Sequence, residues 1–488
     1  MPANDIFSMI RKSIEALQRE AAETGSQTLK RSLGAINLIS IGIGVIIGAG
    51  LFSLTGIAAA NHAGPAVTLS FIIAAIGCAF SALCYAEFAS MVPVAGSAYT
   101  YAYATLGEFF AWIIGWDLVL EYSVGAATVA ISWSQYLVRF LSKYDIYLPA
   151  QLLHSPFETV TLPDGSVVTG WINVPAVLVV VFITALIIRG TKGSALYNII
   201  VVSLKIGVVI VFIALGWNYI NPTNFVPYIP ANTGTFGEFG ISGIFRGAGV
   251  VFFVFIGFDI VATMAQEAKN PQRNMPIGII GSLIICTVLF GVFSFVMTGL
   301  AHYTEFKDSA APVAIAIEKT PYGWMAQAII LAIIIGYTSV ILVDLLGQSR
   351  VFFSMSRDGL LPKLFSHVHP KFQTPYKGNM LLGLFISLFA GFVPIRVVGE
   401  MTSIGTLLAF IMVCLGVIIL RYRQPDLPRA FRTPWVPVVP ILGIVTCVAM
   451  MISLPRDTWI RLVVWLLIGL GIYFLYGKKN SKIRNTQP

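Results

Sequence analysis

Charged residues make up only 11% of this 488-residue chain, against ~25% in soluble domains, which excludes an ordinary cytosolic enzyme. Cysteine is scarce. Cys78, Cys84, Cys286, Cys414 and Cys447 stand in or beside apolar stretches, with no pair at metal-ligand spacing. A disulfide scaffold and a metal centre are excluded, and the five read as small buried residues in a reducing context. Histidine is equally sparse, and His62, His154, His302, His367 and His369 all fall in connecting segments. With no H-E-x-x-H and no G-x-S-x-G, an intramembrane enzyme has no catalytic set. The first stretch is polar, so no cleavable signal peptide is expected.

Apolar residues dominate instead, at 57% with a mean hydropathy of +0.83. A bilayer core about 30 Å thick needs roughly 20 apolar residues per helical crossing. Apolar segments lie near 33–56, 66–91, 108–138, 173–189, 195–216, 241–265, 276–300, 323–353, 378–394, 397–420, 437–454 and 459–476. The pattern predicts an all-α polytopic membrane protein with twelve transmembrane helices. Their uneven lengths point to tilted or interrupted helices.

Lys and Arg crowd the segments on the N-terminal side of the membrane. The opposite segments hold only Arg139, Lys143, Lys307, Lys319, Arg396, Arg456 and Arg461. The positive-inside rule then places both termini in the cytoplasm of a bacterial inner or plasma membrane. The net charge of +9 is met by anionic lipid and needs no nucleic acid. Residues 5–20 read as an amphipathic helix on the inner membrane surface, also open to a small membrane-protein partner of unknown identity.

Two segments look broken. The first, IGIGVIIGAGLF, carries Gly42, Gly44, Gly48 and Gly50, and each glycine costs a helix about 1 kcal/mol relative to alanine. Gly44 and Gly48 also suit close helix packing. The sixth, GVVFFVFIGFDIV, places Gly257 and Asp259 in mid-membrane. Glycine-interrupted segments at matching places in two halves point to a transport site. A half-helix N-terminus receives an anion there, and exposed carbonyls receive a cation. A zwitterionic α-amino acid satisfies both. Ile47 stands where G-x-G-x-x-G needs its last glycine, so dinucleotide binding is rejected. A channel would use a filter loop or rings of charge.

YAEFASMVPVAGSAYTY at 85–101, GIGVIIGAGLF, FFVFIGFD followed by EAKNPQRNMPIGI, and SRDGLLPK at 356–363 together resemble the amino acid–polyamine–organocation superfamily. Within it the chain is most similar to bacterial homologues of the cationic amino acid transporters, over roughly residues 30–476. The resemblance implies a five-plus-five inverted repeat: spans 1–5 over 33–216 and spans 6–10 over 241–420, with helices 1 and 6 broken. Two C-terminal helices follow over 437–476, between cytoplasmic segments 1–32 and 477–488. It implies that Ala49 and Gly50 offer N–H groups to a substrate carboxylate. The carbonyls of Ile46, Phe253 and Ile256 would receive the ammonium, with the Phe253 ring closing over the substrate. No cofactor is implied.

Charged side chains in mid-membrane are expensive and therefore functional candidates. Lys205 lies near the centre of span 5. By the same resemblance its ammonium stands where sodium-coupled relatives hold a cation, a candidate for proton coupling or a fixed internal cation. Glu121 and Asp117 are one turn apart on span 3 and share a face. Glu121 is a proton-exchange candidate, Asp259 a cap or gate at the sixth-span break, and Glu87 an inner-gate or structural residue. Asp344, mid-span in the eighth helix, selects a lysine- or arginine-like substrate if it faces the pocket, and leaves small neutral amino acids if it pairs internally. Glu267, Lys269, Arg273, Arg357 and Asp358 are candidates for inner-gate ion pairs, and Arg246 for the outer mouth. The expected function is proton-coupled amino acid transport by alternating access; obligatory exchange, a polyamine or another small metabolite stay open.

Overall fold

The computed structural model describes residues 11–22, 33–48, 50–94, 96–161, 166–189, 191–307, 312–370, 372 and 374–486. Most of the chain is helical. Among the described residues, seven helical stretches are long and apolar enough to cross a membrane, and five shorter apolar helices accompany them. A short two-stranded antiparallel hairpin, β1 (Thr159–Thr161) and β2 (Val167–Thr169), joins the helices. It lies in a threonine- and valine-rich connecting segment, where β-branched residues favour a strand.

In chain order the helices are α1 (Ile14–Ala22), α2 (Ala35–Ile46), α3 (Val67–Met91), α4 (Ser97–Thr105), α5 (Glu108–Leu118), α6 (Gly125–Ser142), α7 (Val174–Ile188) and α8 (Thr191–Gly216). Then come α9 (Gly240–Phe252), α10 (Ile260–Thr263), α11 (Pro271–Leu300), α12 (Ala326–Arg357), α13 (Tyr376–Phe392), α14 (Ile395–Arg423), α15 (Val438–Ile452) and α16 (Arg456–Ile472). Helix α11 packs along α3 and α2, α12 along α6 and α8, α13 along α7, and α14 along α15. The outward faces of α7, α8 and α16 carry exposed Leu178, Val181, Phe182, Ile199, Ile210, Val463, Leu467 and Ile468. So broad an apolar exterior would aggregate in water and is at home in lipid. All five cysteines are free and buried.

Both terminal segments dock on one end of the bundle. Helix α1 buries Ile14 and Leu17 against the protein, and Gln18 donates to the Met91 carbonyl at 3.1 Å. Lys12 pairs with Asp358, which also accepts from Tyr99 Oη at 2.6 Å. Ile14 and Leu17 of this helix are therefore covered by protein. Residues 5–10 of the expected helix lie outside the described residues. At the other terminus, Arg484 Nε donates to Glu108 at 2.7 Å, joined by Tyr473 and Ser481, and Lys482 N donates to the Asp358 carbonyl at 3.0 Å. Glu87, fully buried on α3, receives Arg421 in two-pronged contact at 2.9 and 3.0 Å, Arg429 at 3.1 Å, and the Thr433 amide at 2.7 Å. That carboxylate ties α3 to the end of α14 and the segment after it.

Candidate functional site

Helix α2 stops at Ile46 because Ile47 turns extended, with ψ at 90°. Helix resumes as a π-helical turn, Gly50–Leu54, where the Phe52 N–H reaches the Gly48 carbonyl at 3.5 Å. Helix α9 stops at Phe252, passes through a tight turn at Phe253–Phe255, and resumes at Ile260. Gly257 sits at φ +123° in that gap, a conformation closed to L side chains. The two breaks meet face to face. A Cβ on Gly257 would lie 2.4 Å from Val45, and one on Gly50 would lie 2.8 Å from the Val254 Cα. Glycine at both positions is what lets the backbones touch.

Between the breaks lies a cavity of about 30 Å³, walled by Ile46, Gly48, Gly50, Val254, Ile256 and Ile260. Such a space takes a water or two, so a larger ligand enters only when the breaks part. The rest of the wall comes from α6, α12 and α14: Gly125 and Val129, Val340 and Asp344, and Thr402, with Glu121 and Tyr122 between α5 and α6. Above it, Tyr136 donates to the Phe52 carbonyl at 2.9 Å, and the Tyr136 and Tyr337 rings meet edge-on at 5.6 Å.

Lys205 reaches into the first break from α8. Its Nζ donates to the Gly44 carbonyl at 2.5 Å and the Ile47 carbonyl at 2.8 Å. These are among the last carbonyls of the first half-helix, which a cation satisfies and whose dipole it opposes. The side-chain nitrogen thus sits against the end of the first half-helix. Asp259 braces the second break: Tyr122 Oη donates to it at 2.7 Å, and its other oxygen accepts the Gly257 N–H at 3.2 Å. It holds the turn before α10, and makes no side-chain cap on that helix.

Among the residues singled out from sequence, Ile46, Gly50, Ile256, Asp344 and Glu121 line the cavity, while Lys205 and Asp259 hold its two breaks. The Phe253 backbone lies in the second break, and Ala49 lies outside the described residues. Glu87 is elsewhere. Glu121 lies within a π-helical turn, Val119–Val124, on the cavity wall, and Asp117 lies beside Gly405 of α14. Neither oxygen of Glu121 is hydrogen-bonded, with Asp259 and Thr406 as polar neighbours. Glu267 pairs with Arg350, and Asp358 with Lys12. Arg246 is engaged with the Ser453 carbonyl.

Gly125, Val129, Tyr122, Thr402 and the Tyr136–Tyr337 cover were not foreseen. Of these only the polar run around Thr402, within an otherwise apolar segment, left a trace in the sequence.

The family model described as amino acid permease matches residues 33–473. The chain is 46% identical to the branched-chain amino acid permease BcaP of Bacillus subtilis, covering 97% of this chain and 98% of that one. It is 41% identical to the methylthioribose transporter of the same organism, over 97% and 99% of the two chains. With cationic amino acid transporter 4, vacuolar, of Arabidopsis thaliana it shares 38% identity over 82% of this chain and 65% of that protein.

Proposed function

Because this chain belongs to the amino acid permease family, a family of membrane transporters and not of enzymes, we propose that it moves branched-chain L-amino acids across the membrane by alternating access, coupled to protons. The observation that carries this reading is the pair of helix breaks meeting across one cavity. In this reading the substrate carboxylate takes the N–H groups opening the Gly50 turn, with Ala49 beside it. The ammonium takes the carbonyls of Ile46, Phe253 and Ile256. The aliphatic side chain lies against Val129, Val340 and Ile260, each buried branched contact favouring a branched ligand by the usual hydrophobic increment. Lys205, alternately holding and releasing the first half-helix, is the coupling residue. The seven long and five shorter apolar helices are read as twelve crossings in two inverted sets of five plus a final pair. In this reading both termini face the cytoplasm at a bacterial inner or plasma membrane, which the distribution of basic residues supports.

Two carboxyl groups in the cavity wall, Asp344 and Glu121, favour a second reading, in which a basic side chain is taken. The test is uptake into sodium-free proteoliposomes under an inward proton gradient, with unlabelled amino acids in competition. Displacement of labelled leucine by isoleucine and valine supports the first reading. Displacement by lysine and arginine alone supports the second.

A further inference from the structure

We propose a second binding site for the zwitterionic head of the substrate, in a separate cavity between the broken helices and the end of the bundle where the termini dock. It deepens, and rests on, the amino acid transport reading. This cavity is about 80 Å³, the larger of the two, and lies where α2, α8, α12 and the segment after α10 converge. Its polar wall consists of Asn37, Asn198, Glu267 and Arg350, facing apolar Ile41 and Leu342.

Two buried groups there have unspent hydrogen-bonding capacity. Arg350 is 8% exposed; its Nε and Nη2 donate to Glu267 Oε1 at 2.9 and 2.5 Å, while Nη1 has no partner. Asn198 is 4% exposed, and its Oδ1 has no partner either. Buried polar groups without partners are uncommon and call for a reason. A guanidinium edge with a free donor suits a carboxylate, while an amide oxygen in a wall that also holds a glutamate suits an ammonium. An α-amino acid carries both groups on one carbon, and its head is no larger than the few waters such a space admits.

The position fits a waypoint. Asn198 stands against Gly44, whose carbonyl holds Lys205 under the central cavity. At the opposite limit the backbone of Leu33 is bridged to Glu267 and Lys269 at 2.9 and 2.8 Å. A substrate released from the first break would meet this site before that bridge parts.

The experiment is counterflow of labelled leucine in proteoliposomes of defined orientation, with the full-length chain and with KM measured separately at each face. Arg350→Lys keeps a charge for Glu267 but loses the second donor edge, and Asn198→Leu removes the acceptor. Each is expected to raise KM by about tenfold at the termini-bearing face and to leave the opposite face within about twofold. Asn198→Ser, a gentler change, replaces Asn198→Leu if that variant does not reach the membrane. Unchanged KM at the termini-bearing face, or an equal rise at both faces, overturns the site. A wild-type protein that exchanges no amino acid overturns the transport reading and the site together.

Discussion

Replacing Lys205 with methionine keeps the stem of the side chain and removes the ammonium that bonds the Gly44 and Ile47 carbonyls. Two buried acceptors lose their partner, each at about 1–3 kcal/mol. Part of this is offset because no ammonium has to be taken out of water, and because Ser339 still donates to Gly44 at 3.4 Å. The net loss, about 2–4 kcal/mol, falls on the arrangement in which the first half-helix is clamped. At about 1.4 kcal/mol per factor of ten, that shifts the clamped-to-open ratio by about 30- to 700-fold. The assay is leucine accumulation driven by a proton gradient, beside leucine counterflow without one. Lys205→Met is expected to abolish accumulation while counterflow persists. Gly207→Ala on the same helix, where an added Cβ meets nothing within 4 Å, is expected to behave as wild type. Undiminished accumulation by Lys205→Met would refute a coupling role.

Gly257→Ala forces a side chain into φ +123° and within 2.4 Å of Val45, a strain of about 1–2 kcal/mol plus an overpacking cost of about 1–3 kcal/mol. Loss of leucine binding with a lowered unfolding midpoint is expected in detergent, and wild-type affinity would contradict the contact. Glu87→Gln leaves the buried Arg429 without its countercharge, a change costing about 3–5 kcal/mol. Its expected signature is poor thermal stability with leucine KM unaltered in the protein that folds, whereas wild-type stability would contradict the anchor. Asp344→Asn separates the two substrate readings. Leucine uptake within about threefold of wild type is expected if aliphatic contacts select the substrate, and loss of lysine uptake would establish the basic reading instead.

The two breaks were legible because helices spend glycine reluctantly: clusters at Gly42–Gly50 and at Gly257 have few explanations in an apolar segment. Lys205 was legible for the same kind of reason, an ammonium too deep to reach water. What it touches was not, since the Gly44 and Ile47 carbonyls become available only once the helix unwinds. Contacts between distant segments were hidden altogether. Nothing in the pattern near Glu87 announces Arg421, Arg429 and Thr433, and nothing near Asp259 announces Tyr122. The π-helical turn that holds Glu121 has no propensity signature. The amphipathic pattern around α1 implies a covered face, but hydrophobic periodicity is blind to whether protein or lipid covers it.

Proton-driven uptake of labelled leucine into sodium-free proteoliposomes is the most direct test of the central claim, that the paired breaks form an amino acid transport site. Accumulation above the outside concentration, collapsed by a protonophore and competed by isoleucine and valine, is the predicted result. No uptake, and no exchange of any L-amino acid against leucine loaded inside, would contradict it.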